Sequence, residues 1–252
     1  MGYADALEFQ RQAARRRISG ELSQDLLILV EHPPVVTLGR LTKETSVTAT
    51  REELTSKGVA LFEVERGGDV TFHGPGQLVG YTIIDLKRHR KDLHWFLRQI
   101  EEALIRTLAE IDINAERDIG RTGVWTAGRK IASIGLHARD WVTWHGFALN
   151  VTTDLTYFDL IVPCGIGGVA MTSIENEHRI TGHNKTSPAT AGSAAPAFSG
   201  RSGGMTATGS AVRPTTMAAA GETVASKFAE VLGLTPIAKD PGIISVLTLL
   251  QV

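Results

Sequence analysis

Arg66-Gly67-Gly68-Asp69-Val70-Thr71-Phe72-His73-Gly74-Pro75-Gly76-Gln77-Leu78-Val79-Gly80-Tyr81 is the densest block of backbone signals in the chain. Paired glycines after an arginine form either an ordinary hairpin turn or a loop whose N–H groups approach a ligand closely. Gly74-Pro75-Gly76 is a turn, and the apolar, β-branched run Val79–Leu86 that follows it reads as a strand. Outward from this block, Leu26–Val30 is a buried-strand run, stopped by His32-Pro33-Pro34, and Val35–Leu38 starts another. Val59–Glu65 alternates as a strand. Leu93, Phe96, Leu97, Ile100, Leu104, Thr107, Leu108 and Ile111 recur at three- and four-residue steps, which predicts an amphipathic helix over 92–111. Helices are also expected over 4–17, 52–57 (closed by Gly58) and 222–232, and strands over 124–126, 131–137 and 142–150. Together these elements predict a mixed α/β domain.

The chain of 252 residues has a single cysteine, Cys164, in Pro163-Cys164-Gly165-Ile166-Gly167-Gly168. A lone thiol makes no intramolecular disulfide and no multi-cysteine metal site. It is either a buried small apolar residue or a nucleophile. A thiol followed by glycine N–H groups has the parts of an acyl-transfer site: a nucleophile and donors for a developing oxyanion.

The net charge of −1 gives no global field favouring nucleic acid or a membrane surface. No run approaches the roughly 18 apolar residues of a membrane span. Arg15-Arg16-Arg17 leads into a polar stretch, not into the apolar core of an export signal. One thiol without such a signal suits a reducing cytoplasm.

The Arg66–Tyr81 block fits the pattern Arg-Gly-Gly-x-x-Thr-aromatic-His-x-x-Gly-Gln-x-x-x-Tyr of the octanoyltransferases of lipoate biosynthesis at every fixed position. The resemblance continues through Gly123-Val124-Trp125, Gly128-Arg129-Lys130-Ile131-Ala132-Ser133-Ile134-Gly135, His145-Gly146-Phe147-Ala148-Leu149-Asn150 and Pro163-Cys164-Gly165, and ends at Thr172-Ser173. It implies the fold of biotin and lipoate protein ligase catalytic domains, a large mixed sheet flanked by helices with a smaller sheet beside it. It implies transfer of an octanoyl (or lipoyl) group from acyl carrier protein to a lysine of a lipoyl domain, through a Cys164 thioester and without ATP, cofactor or metal. The acceptors implied are the lipoyl domains of 2-oxoacid dehydrogenase complexes and the glycine cleavage H protein.

By the same resemblance Lys130 partners Cys164. Its ammonium would favour the thiolate, and its neutral amine would later take the proton of the acceptor lysine. Arg66, Gly67, Gly68, Asp69, Val70, Thr71, Phe72 and His73 would bind the acyl group, with main-chain N–H groups lining the pocket or pointing at the thioester oxygen. His73 would either hydrogen-bond the reacting carbonyl or shape the pocket. Ser133, Ile134, Gly135, Gly146, Phe147 and Ala148 would form its walls, and His145 and Asn150 would orient loops. Lys87-Arg88-His89-Arg90-Lys91 is either a solvated loop or a docking patch for the acidic carrier protein. An ATP-dependent ligase of the same fold would not need Cys164, and a non-catalytic acyl-binding protein would need neither Cys164 nor Lys130.

The expected organisation is a catalytic domain over 1–183, a low-complexity, disordered insertion over 184–221, and a helix and tail over 222–252 that pack on the catalytic domain. Residues 187–220 are mostly Ala, Gly, Ser, Thr and Pro, with only Arg201 and Arg213 charged. The octanoyltransferase resemblance includes no such insertion. The apolar tail 243–252 has no evident place.

Overall fold

The structure is a computed structural model that describes residues 1–163, 168–186, 215–239 and 245–251. Eight strands form one sheet, in the order β10 (Leu234–Lys239), β11 (Ser245–Gln251), β1 (Asp25–Val30), β5 (Gln77–Ile83), β9 (Val142–Asn150), β8 (Arg129–Arg139), β7 (Arg121–Thr126), β6 (Glu116–Asp118). Every pairing in it is antiparallel. The small sheet orders β3 (Ala60–Glu63), β2 (Val35–Leu38), β4 (Thr71–His73). The mixed character expected of the large sheet belongs to this small one: β2 pairs with β3 in parallel and with β4 antiparallel. A parallel pair needs a long crossover, and the segment holding α2 (Arg51–Ser56) supplies it. Thr50 caps that helix through a reciprocal pair of bonds with Glu53.

Strand β1 reads as an unbroken apolar run because both of its faces are covered. Leu27 and Leu29 join the core beneath α3 (Leu93–Ala109) and α5 (Met217–Leu232), with Phe96, Ile100, Leu104 and Phe228. Leu26, Ile28 and Val30 face α1 (Tyr3–Ser19) through Ala6, Ala13 and Ala14. The apolar tail finds its place as β11, which pairs with β1 from Asp25↔Leu249 to Leu29↔Ser245. Helix α5 starts at Met217 behind a Thr216 cap, ahead of the expected 222, and Ala220 and Gly221 within it are buried. Of the insertion expected over 184–221, residues 184–186 end a helix (Ile174–Thr186), 217–221 open α5, and 187–214 lie outside the described residues. No helix among the described residues is long and apolar enough to cross a membrane.

Candidate active site

A cavity of about 690 Å³ opens where the 66–70 loop and β4 of the small sheet meet β5, β8 and β9 of the large one. Arg66, Gly67, Gly68, Asp69, Val70, Thr71 and His73 line it on one side. Ser133, Ile134 and Gly135 of β8 and Gly146, Phe147 and Ala148 of β9 line it on the other. Phe72 does not. Alternation along β4 turns its ring the other way, where it stacks on Tyr157 at 4.7 Å between centroids and packs with Phe158.

The arginine of the loop is a clamp. Buried Arg66 donates from Nη2 to the carbonyl and hydroxyl of Thr37 on β2, at 2.7 and 2.9 Å, and from Nη1 to the Gly67 carbonyl at 3.1 Å. The Gly67 N–H is also committed, donating to the Leu136 carbonyl of β8 at 2.8 Å. That bond ties the loop to the large sheet and removes this N–H from the set that could point at a ligand. Gly135 permits the approach: a Cβ there would lie 2.9 Å from the Gly67 oxygen and 3.0 Å from Arg66 Cδ.

His73 is held by a polar chain. Its Nδ1 lies 2.8 Å from Gln77 Oε1, and Gln77 Nε2 donates to the Phe72 carbonyl and to Asn150 Oδ1. Asn150 Nδ2 donates in turn to the Thr172 carbonyl. Because Gln77 Nε2 already serves two acceptors, its oxygen faces His73, and Nδ1 carries the imidazole proton. Burial, then the nearby His32, lower the His73 pKa to about 3, so the ring is neutral near pH 7 and Nε2 is an acceptor. In that state the ring faces the pocket as a neutral acceptor. Asn150 thereby links Gln77 of β5 to the segment at Thr172.

His145 sits inside β9 with φ at 58°, a left-handed conformation unusual for a non-glycine residue. Gln10 Oε1 accepts its N–H at 2.9 Å, and its carbonyl accepts from the Thr82 hydroxyl at 3.2 Å. The ring lines the cavity, and its Nε2 is buried without a hydrogen-bond partner among the described residues, 4.0 Å from Glu65 Oε2. Burial lowers its pKa to about 3 against the pull of Glu65. Glu65 is itself engaged by Arg11 and by the Trp144 indole N–H. Burial pushes its carboxyl up, but those bonds prevail and bring its pKa to about 2.

Lys130 lies at the start of β8, 3% exposed, on the wall of the same cavity. Its amide donates to the Ala170 carbonyl at 2.8 Å, and its carbonyl accepts from the Thr172 amide at 2.9 Å. The segment that follows Cys164 in sequence is thereby stitched to the lysine's own backbone, and Val169 lines the cavity beside it. Cys164 lies outside the described residues.

Several cavity residues were absent from the sequence expectation. Tyr81 closes the Arg66–Tyr81 block and Trp125 ends Gly123-Val124-Trp125, so both stood in quoted motifs without a role; both line the cavity. Tyr3, Leu93 and Leu97 reach it from α1 and α3, and nothing in their local sequence announces that. The basic run 87–91 is largely satisfied within the fold. Lys87 faces Asp85 at 3.7 Å, Arg88 donates to the Ser23 carbonyl, His89 meets Asp25 at 3.0 Å, and Arg90 pairs with Asp92.

The fold is that of lipoate protein ligases. A lipoate-protein ligase A solved with ATP matches with a TM-score of 0.60 at 16% identity, over 87% of this chain and 78% of that one. A bi-partite lipoate protein ligase from Thermoplasma acidophilum matches with a TM-score of 0.56 at 16% identity, over 89% and 79%. Residues 2–190 match the lipoyl protein ligase A/B catalytic domain. An octanoyltransferase of Acidobacterium capsulatum is 52% identical over 190 residues, 70% of this chain and 77% of that one. One of Geobacter metallireducens is 52% identical over 169 residues, 67% and 76%. The chain belongs to the lipoyl protein ligase A/B catalytic-domain family, among its octanoyltransferases.

Proposed function

We propose that this chain transfers an octanoyl or lipoyl group to a lysine of lipoyl domains, as a step of protein lipoylation, with Cys164 as the nucleophile and Lys130 as its acid–base partner. The acyl donor in this reading is octanoyl-loaded acyl carrier protein. The acceptors are lipoyl domains of 2-oxoacid dehydrogenase complexes and the glycine cleavage H protein. The Cys164 thiolate attacks the donor thioester carbonyl, the carrier sulfur leaves as a thiol by taking a proton from the Lys130 ammonium, and the acyl group rests on Cys164 sulfur with Lys130 now neutral. The neutral amine of the acceptor lysine then attacks that thioester, Cys164 departs as thiolate, and the amine proton passes to Lys130. Exchange of one thioester for another is nearly balanced in energy, so no nucleotide is consumed.

One observation carries the reading. Lys130 is buried and lines the cavity walled by the Arg66 loop, β8 and β9, and its backbone is bonded to the segment that leads out of the Cys164 motif. The neutral rings of His73 and His145 and the Phe147 side chain favour an uncharged, elongated guest there.

The test is intact-protein mass spectrometry after incubation with octanoyl-loaded carrier protein and no ATP. The expected result is one added octanoyl group, absent from Cys164→Ser and Cys164→Ala. Acylation of Cys164→Ala at the wild-type level, or a strict need for ATP, would overturn the reading.

A further inference from the structure

We propose that Trp125 is a positioning residue for Lys130: its ring face aims the lysine nitrogen, while Gly123 clears the lane that the lysine stem occupies. The inference rests on the reading of Lys130 as the acid–base residue. Trp125 and Lys130 are partners across β7 and β8, and Lys130 Nζ lies 5.4 Å from the centroid of the Trp125 ring. A cation over an indole face is attracted by the ring quadrupole, and indole is the strongest such partner among side chains. A second cation also lies over the ring. The Arg121 guanidinium lies over it at 4.3 Å and is itself paired with Asp118. Trp125 is only 2% exposed, so water screens little of this attraction.

The indole N–H supports the same conclusion by elimination. Trp125 Nε1 is buried and has no hydrogen-bond partner among the described residues. A core position that needed only bulk would be filled at lower cost by an apolar side chain, since an unpaired buried donor is destabilising. What the indole supplies here is its face. Gly123 completes the arrangement. It sits on β7 with φ at 122°, and a Cβ there would lie 2.6 Å from Lys130 Cε and 2.5 Å from the Ala132 oxygen. The lysine stem therefore crosses the neighbouring strand through the space left by the missing side chain. Rotamers that swing the nitrogen away lose the ring.

The experiment is steady-state octanoyl transfer from carrier protein to a lipoyl domain by full-length Trp125→Phe, Trp125→Leu and Trp125→Met, alone and combined with Lys130→Ala. Trp125→Leu and Trp125→Met should lower kcat about tenfold with KM for the carrier nearly unchanged. Trp125→Phe, which keeps a ring face, should recover most of the rate. In the Lys130→Ala background the ring should no longer matter, so the double variants match Lys130→Ala alone. Wild-type kcat in Trp125→Leu beside an inactive Lys130→Ala would overturn this inference and leave the Lys130 reading standing. Equal rate losses with and without Lys130 would also overturn it, by assigning Trp125 a purely structural role. The same holds if both ringless variants fail to fold while Trp125→Phe is normal. Wild-type activity in Lys130→Ala would remove the underlying reading and this inference with it.

Discussion

Arg129 and Glu177 form a two-point ion pair, Nε and Nη2 each 2.8 Å from a carboxylate oxygen, that joins the start of β8 to α4 (Ile174–Thr186). The same carboxylate accepts from the Thr172 hydroxyl at 2.6 Å. Burial raises the Glu177 pKa, but the bonds from Arg129 and Thr172 outweigh it and lower the pKa. One side chain thus ties together the residue before Lys130 and the segment after Cys164.

Glu177→Ala should therefore destabilise the protein by roughly 1–3 kcal/mol, the cost of leaving the buried Thr172 hydroxyl and the half-buried Arg129 guanidinium without their acceptor, and slow octanoyl transfer. Glu177→Gln keeps an acceptor for Thr172 and should lose less of both. Urea unfolding and kcat, measured on the same preparations, check this. A wild-type kcat in Glu177→Ala would show that the anchor does not matter to the chemistry.

Arg66→Lys should behave as a severe change despite its retained charge. A lysine nitrogen cannot reproduce the fork that reaches the Thr37 carbonyl, the Thr37 hydroxyl and the Gly67 carbonyl together. A loss of roughly 1–3 kcal/mol is expected, with a higher KM for the acyl donor because the loop wall loosens. An unaltered thermal midpoint would contradict the clamp.

Gly80→Ala should shorten the preferred acyl chain. The Phe147 ring covers Gly80 so closely that a Cβ would stand 2.1 Å from its tip. The tip of a side chain yields before backbone does, and Phe147 lines the cavity, so the ring must give ground within it. Competition between hexanoyl, octanoyl and decanoyl carrier protein reads the effect directly, and an unchanged ranking would refute it.

Acid should destabilise the fold well before carboxylates titrate. Burial is the leading cause that holds His32, His73 and His145 at about 4, 3 and 3, against an ordinary value of 6.5. Below about pH 6.5 the unfolded chain takes up protons that the folded chain refuses, so stability falls as pH drops from there toward about 4. Each ring contributes a slope of up to about 1.4 kcal/mol per pH unit in that window. Glu65, held at about 2, adds to the loss only below its ordinary 4.5. Urea midpoints should be level from pH 8 to 7 and decline from pH 6.5 to 5. A flat profile through that range would mean that the rings are not buried neutral.

Strand β1 and helix α3 were legible because burial alone wrote their patterns: two covered faces for one, a single stripe for the other. The glycines of the Arg66 loop and Gly135 were legible as close-approach positions, and the structure shows what approaches. Phe72 was misplaced because a motif does not state strand parity, and in β4 parity sends Thr71 and His73 to one side and Phe72 to the other. The left-handed His145 leaves no local mark, since Gln10 and Thr82 stabilise it from distant elements. Tyr3 joins the cavity only through the docking of α1. The tail was unplaceable because its partner, β1, lies at the opposite end of the sequence.

That last pairing has a consequence for synthesis. During translation β1 emerges early, and β5 can cover one of its edges soon afterwards, but the other edge waits for Ser245–Gln251. At about 5–20 residues per second the interval is on the order of ten to forty-five seconds. Throughout it the nascent chain offers one unpaired edge of the apolar run Leu26–Val30 to any neighbour that can add to it. Of the two partners of β1, β11 is made far later than β5, and chaperones that bind extended apolar segments have their longest opportunity at Leu26–Val30.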